Sequence, residues 1–318
     1  MQRDEYIAYL GGIRRYSPRT LEIYNDILKE FESRGEALTP SGIRNYEVYL
    51  LDDKKNSART VDLHLSVLSG YCRYLVKKGE LQSNPVRLVH RPKQEKRLPV
   101  FYRSDDIENY FADTECNCDE ENLAFLLSLP PGDKTARELY ERRLRRLIIS
   151  ILFCTGIRRS ELISLKRSSI NPSRRTLSVR GKGDKMREIP APDSLFREIS
   201  LYLKSVDHLF GEITDAQSPL LLTPTGRELY PSFADRAVKE ELGSAEGFTG
   251  RKSPHVLRHT IASELLDGGT GLNSIKEMLG HSSLAATQVY THNTIERLKN
   301  VYEQAHPRAN KNGGKNGD

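Results

Sequence analysis

Ten residues near the end of the first third of the chain, HRPKQEKRLP at 90–99, constrain its fold most. They hold two prolines and five charges and have no apolar period. Proline removes a backbone donor and biases the residue before it toward extended backbone, so neither a helix nor a central strand runs through such a stretch. The chain is therefore expected to fold as two bodies joined by an extended linker. Its 318 residues agree with that, at roughly 150 residues per domain. The expected division is a helical domain at 1–89, the linker at 90–99, a second domain at 100–306 and a flexible tail at 307–318.

The first body reads as helices with local start signals. Ser17-Pro18 supplies an N-cap followed by proline at the first helical position, and Leu21, Tyr24, Leu28 and Phe31 then recur at helical spacing up to Gly35. Thr39-Pro40 repeats the signal ahead of Ile43, Tyr46, Val48 and Leu50. Ser57 opens a third run through Val61, Leu65, Leu68, Cys72 and Leu75, which Lys77-Lys78-Gly79 closes.

In the second body, Ser104-Asp105-Asp106 opens a helix, and residues 139–154 read as a long helix, basic outside and apolar inside. Between them, 113–135 is acidic, carries Cys116 and Cys118, and reads as an inserted loop or short helix. Residues 176–180 and 186–190 are short strands around Gly181-Lys182-Gly183-Asp184, a hairpin signal. From Asp193 onward the pattern is mostly helical.

Charge narrows the function. The net charge is +6, but residues 141–187 hold 14 Lys/Arg against three acids. A polyanion is the natural partner of such a block, with a solvated basic face as the plain alternative. No apolar run approaches the ~20 residues of a membrane span. The polar start MQRDEYIAYL reads as lacking a secretory signal. Four cysteines in a chain of this length are no disulfide framework, so the expected compartment is the reducing cytoplasm.

Four constellations could carry chemistry. In Thr155-Gly156-Ile157-Arg158, the glycine permits a sharp turn after the apolar helix and holds Arg158 at a helix junction, from which a guanidinium can grip a phosphate bidentately. Lys182 projects between two glycines; taken alone it is a turn lysine, and the GxxxxGK[ST] frame of a nucleotide loop is absent. His255 and Arg258 lie at i and i+3 near a helix start, which suits an anion. A zinc reading of His255 and His259 fails on Val256, where a zinc-protease helix carries glutamate, and on the cation of Arg258. His281 sits between Gly280 and Ser282 in an expected interhelical turn, and nine residues later comes Tyr290, one of 15 tyrosines. Together, two guanidiniums, two imidazoles, an ammonium and a phenol can stabilise a phosphodiester in transfer and supply its nucleophile.

Through CTGIRRSELISL, GKGDKMREIP, SPHVLRHTIASELL, LGHSSLAATQVYTH and ERLKNVYEQAHPRA, the chain resembles the tyrosine recombinase (phage integrase) family, most closely the Xer-type site-specific recombinases. The resemblance spans 145–308, loosely near 195–250, and more weakly the first 90 residues. It implies a mainly α fold: a helical, SAM-like core-binding domain at 1–89 and an α+β catalytic domain at 100–306 with a small antiparallel sheet. It implies a site-specific DNA recombinase that cuts and rejoins through a 3′-phosphotyrosyl link with no metal, ATP or other cofactor, in chromosome dimer resolution or mobile-element integration and excision. The alternatives are a silent DNA-binding protein on the same scaffold and relaxation of the type IB topoisomerase kind. By the same resemblance Tyr290 attacks, Arg158 and Arg258 clamp the non-bridging oxygens, Lys182 protonates the leaving oxygen, His255 assists proton transfer and His281 donates to the phosphate. The implied partners are double-stranded DNA with a specific site and further subunits, as a tetramer on DNA, alone or with a paralogous recombinase, and no membrane. Two segments stand apart. The stretch 113–135 is longer than its Xer-type equivalent, and the amphipathic 294–306, with Ile295, Leu298, Val301, Tyr302 and Ala305 on one face, is expected to dock on a neighbouring subunit.

Overall fold

The computed structural model describes residues 2–93, 102–181, 185–243 and 252–267, with 269, 271, 275 and 278–280. The chain divides into two compact units, Met1–Leu98 and Pro99–Asp318.

The first unit holds α1 (Gln2–Gly12), α2 (Pro18–Ser33), α3 (Pro40–Val48) and α4 (Ala58–Lys78). Ser17, Thr39 and Ser57 cap α2, α3 and α4, each side-chain oxygen accepting the N–H of Thr20, Gly42 or Thr60. Gly79 ends α4 at φ +78°, a left-handed position that suits glycine. The core of this unit gathers Leu28 and Phe31 with Ile43, Tyr46, Leu50, Leu65 and Leu68. Two features depart from the pattern. Val48 is exposed, two residues and thus more than half a turn from buried Tyr46, whereas Leu50, one turn beyond Tyr46, is buried where the chain widens into a π turn at Tyr49–Asp53. And α1 carries no cap signal in the sequence; it forms because Tyr6 and Leu10, one turn apart, bury against the rest of the unit.

The second unit is built around α7 (Lys134–Thr155). It begins with α5 (Ser104–Asp113), a 3-10 turn at Glu115–Cys118 and α6 (Glu120–Ser128), and after α7 come α8 (Arg159–Ile163), α9 (Asp193–Phe210), α10 (Pro231–Glu241) and α11 (Pro254–Asp267). Helices α9, α10, α11 and α6 all pack on α7, whose Leu144, Leu147, Ile148, Ile151 and Leu152 are buried. Helix α7 starts five residues ahead of the start read from the sequence, capped by Asp133, which accepts the N–H groups of Thr135 and Ala136. Three antiparallel strands, β1 (Ile170–Asn171), β2 (Thr176–Arg180) and β3 (Met186–Pro190), form one sheet in the order β1-β2-β3, with Val179 opposite Arg187. The fold is thus mostly helical with a small antiparallel sheet, and no described helix is long and apolar enough to cross a membrane.

The acidic segment is a short helix. Asp119 caps α6 by accepting the Asn122 N–H at 2.7 Å, while Leu123 and Leu126 turn inward. It corrects the reading of α7 as basic outside: Arg143 and Arg146 are only 1% and 2% exposed. Arg143 donates to the Asp119 carbonyl and to Asn122 Oδ1 at 2.9 Å. Arg146 donates to the Phe111 carbonyl at 3.1 Å and pairs with Glu198 on α9. Two cations that looked available to a polyanion instead fasten this segment to the core.

Candidate active site

Helix α7 ends at Gly156, at φ +59°. A Cβ there would lie 2.5 Å from Leu279 Cδ2 and 3.1 Å from Ile261 Cγ2. Glycine is required both by backbone and by space. The end of α7 is thereby pressed against α11 and the 278–280 turn, and the next residues, Arg158 onward, start from this fixed point.

Arg158 precedes α8 with extended backbone, φ −74° and ψ 153°. Its own N–H donates to Glu161 Oε2 at 2.8 Å, its Nη1 to Glu161 Oε1 at 2.9 Å and its Nη2 to the Gly280 carbonyl at 2.8 Å. Arg258, from α11, is 7% exposed and donates to the Gly156 and Leu279 carbonyls. Two guanidiniums, one at the N-cap of α8 and one on α11, therefore meet at the Leu279–Gly280 carbonyls, just ahead of His281 in the chain. Burial, with Arg158 and Arg187 close by, draws the Arg258 guanidinium down to about 10, which leaves it charged at neutral pH. Arg158 Nη2 and both Arg258 donors rest on neutral carbonyls, while Arg158 Nη1 rests on the Glu161 carboxylate. A hydrogen bond to a charged oxygen is roughly twice as strong as one to a carbonyl, so a phosphate can take the carbonyl-bound donors over.

His255 lies one turn before Arg258 on α11 with its side chain exposed. Partial burial and then the charges of Arg159, His259 and Arg258 hold its pKa below the ordinary histidine value, against a smaller opposing effect of Asp235. The imidazole is neutral at physiological pH and able to accept a proton. Arg159 is itself tied to Asp235 of α10 by an ion pair.

Two participants escaped the sequence reading. Glu161 is buried, and Arg187 from β3 embraces it, Nη1 to Oε1 at 2.9 Å and Nη2 to Oε2 at 2.8 Å, while Arg187 Nε donates to the Met278 carbonyl at 3.1 Å. Burial alone would raise the carboxyl of Glu161, but the bonds from Arg187 and Arg158 outweigh it and hold it below the usual range. A signal existed: Arg187 alternates with Ile189 on the inward face of β3, a place where a charge needs a partner. Lys182, His281 and Tyr290 lie outside the described residues, as does 294–306. Of their described neighbours in the chain, Gly181 donates to the Lys185 carbonyl at 2.8 Å where the hairpin turns, and Gly280 adopts φ +65°.

The Phage integrase family profile matches residues 135–297, about half the chain and all six candidate residues. The chain belongs to the phage integrase family. Full-length relatives agree: Tyrosine recombinase XerC of Chlorobaculum parvum is 32% identical, with 96% of this chain and 94% of the relative covered. Tyrosine recombinase XerC of Bacillus subtilis is 31% identical over 96% and 95% of the two chains. The fold is that of XerH site-specific recombinase bound to difH substrate in a pre-cleavage complex, with TM-score 0.61 and 17% identity, covering 95% of this chain and 80% of that one. The protein is accordingly a tyrosine recombinase of the Xer-like kind, an enzyme of DNA strand breaking and rejoining, and a silent DNA-binding protein on this scaffold is not favoured.

Proposed function

We propose that this integrase-family enzyme exchanges strands between specific DNA sites through a 3′-phosphotyrosyl intermediate formed on Tyr290. The observation that carries the reading is the convergence of Arg158 and Arg258 on the Leu279–Gly280 carbonyls. Two cations at one point are suited to the charge of a phosphoryl group in transfer, which gains most from preplaced donors. In the reaction the Tyr290 oxygen bonds to phosphorus as the bond to the 5′-oxygen breaks. His255, neutral, takes the phenol proton; Lys182 gives a proton to the leaving 5′-oxygen; His281 donates to the phosphate while the two arginines hold its non-bridging oxygens. Bond energy stays in the phosphotyrosine, so the 5′-hydroxyl of a second strand can reverse the step without ATP or metal.

The first unit acts in this reading as a core-binding domain, and both units contact the duplex. Groove contacts choose the sequence, and phosphate contacts set the register. Working subunits assemble as a tetramer on two duplexes, through 294–306 docked on a neighbour. Whether the outcome is resolution of chromosome dimers or movement of an element follows from where the sites lie.

The test is a trap. Nicked duplexes made from a genomic library lose the strand needed for rejoining once cut, so the protein stays attached. With a chelator present and no nucleotide, denaturation-resistant complexes should enrich one short sequence. Adducts that form only with added metal, or supercoil relaxation on any plasmid without enrichment, would sink the proposal.

A further inference from the structure

Arg187 stands where an apolar residue would serve the core of the sheet. It alternates with Ile189, is 7% exposed, and has Nε, Nη1 and Nη2 all engaged. A buried ion pair adds little net stability over a well-packed apolar pair, so its presence asks for another reason. The neighbours supply one. Glu161 Oε1 is shared, accepting both Arg158 Nη1 and Arg187 Nη1 at 2.9 Å. With Glu161 paired to Arg158 alone, carboxylate and guanidinium would cancel, and the phosphate would meet one effective cation, Arg258. Arg187 takes the carboxylate bidentately, leaves the Arg158 guanidinium bound to it through one nitrogen, and restores a net charge of two across Arg158 and Arg258.

We propose that Arg187 is a positioning residue that neutralises Glu161, so that the Arg158 cation stays available to the scissile phosphate. Its hold is also the one that survives substrate entry. Arg158 and Arg258 must release the Gly280 and Leu279 carbonyls to grip phosphate, whereas Arg187 keeps Met278 and goes on fixing that turn. Gly280 fits this packing, since a Cβ there would lie 3.1 Å from Arg187 Cζ.

The inference rests on the reading of Arg158 as a phosphate clamp, and the experiment separates the two. Cleavage is timed on the site recovered by trapping, as an ordinary phosphodiester and with an uncharged methylphosphonate at the scissile position. Arg187→Gln should slow the phosphodiester by about a hundredfold, the scale of losing one preorganised group, and the methylphosphonate by far less. The double variant Arg187→Gln with Glu161→Gln removes the carboxylate too and should return the ratio of the two rates close to the parent's. Arg187→Lys, which keeps the charge without the fork, should also retain that ratio. An equal slowing of both substrates by Arg187→Gln would make Arg187 purely structural and overturn the proposal, as would a double variant that fails to restore the ratio. Arg187→Gln that does not fold while the double variant folds with the ratio lost overturns it as well. Arg158→Ala run on the same pair reports separately: if its defect is as large on the uncharged substrate, the clamp reading itself is wrong.

Discussion

At the scale of single residues, the site is a matter of which protons and charges are held where. His255 carries a depressed pKa. Its neutral, proton-accepting form therefore persists to lower pH than an ordinary histidine's, and it is lost as pH falls through the depressed value. The acid limb of the cleavage rate should lie below the ordinary histidine value near 6.5. Arg159→Gln removes a cation and leaves Asp235 unpaired, both of which favour the imidazolium, so the limb should move to higher pH. A limb that stays put in the variant would disprove His255 as the proton acceptor. Lys182→Ala should slow cleavage by roughly 10²–10⁴-fold, as for loss of a general acid. With sulfur in place of the 5′-bridging oxygen the leaving group needs no proton, and the rate should recover. A defect that persists there would remove Lys182 from the acid's role.

At the scale of elements, Gly156 joins the core helix to the chemistry. Gly156→Ala forces a side chain into φ +59° and against Leu279, and the expected cost is about 1–3 kcal/mol. Denaturant unfolding measures it, and an unchanged midpoint would show that the turn gives way freely. Arg143→Met cuts the bonds to the Asp119 carbonyl and Asn122. Amide exchange along α6 should then quicken, on the scale of about 1.5–3 kcal/mol for hydrogen bonds to a charged group, with DNA binding unaffected; unchanged exchange would mean that apolar packing alone holds α6. Legibility follows the same line. Ser17, Thr39 and Ser57 could be read as caps because a cap is settled within four residues. Arg158 and Arg258 could be read because each sits beside a local helix signal. Helix α1 could not, since its two apolar anchors matter only through distant partners. Arg143, Arg146 and Arg187 read as surface charge because their partners, Asn122, Glu198 and Glu161, stand 21, 52 and 26 residues away.

At the scale of the whole molecule, the proposed reaction needs two units and several subunits to act on one bond. Deleting residues from Thr294 onward should leave binding of a single subunit to a half-site nearly unchanged while abolishing cooperative binding and recombination, as band shifts on half and full sites would report. Full recombination by the truncated protein would refute a role for that segment in assembly. Everything else depends on Tyr290. The direct measurement is a denaturing gel of Tyr290→Phe beside the parent on the same nicked suicide duplex, with a native band shift run in parallel. Removing one oxygen leaves the cationic pocket in place, so the variant should bind the site as the parent does and form no covalent complex. Protein-linked DNA from the phenylalanine variant would contradict the account.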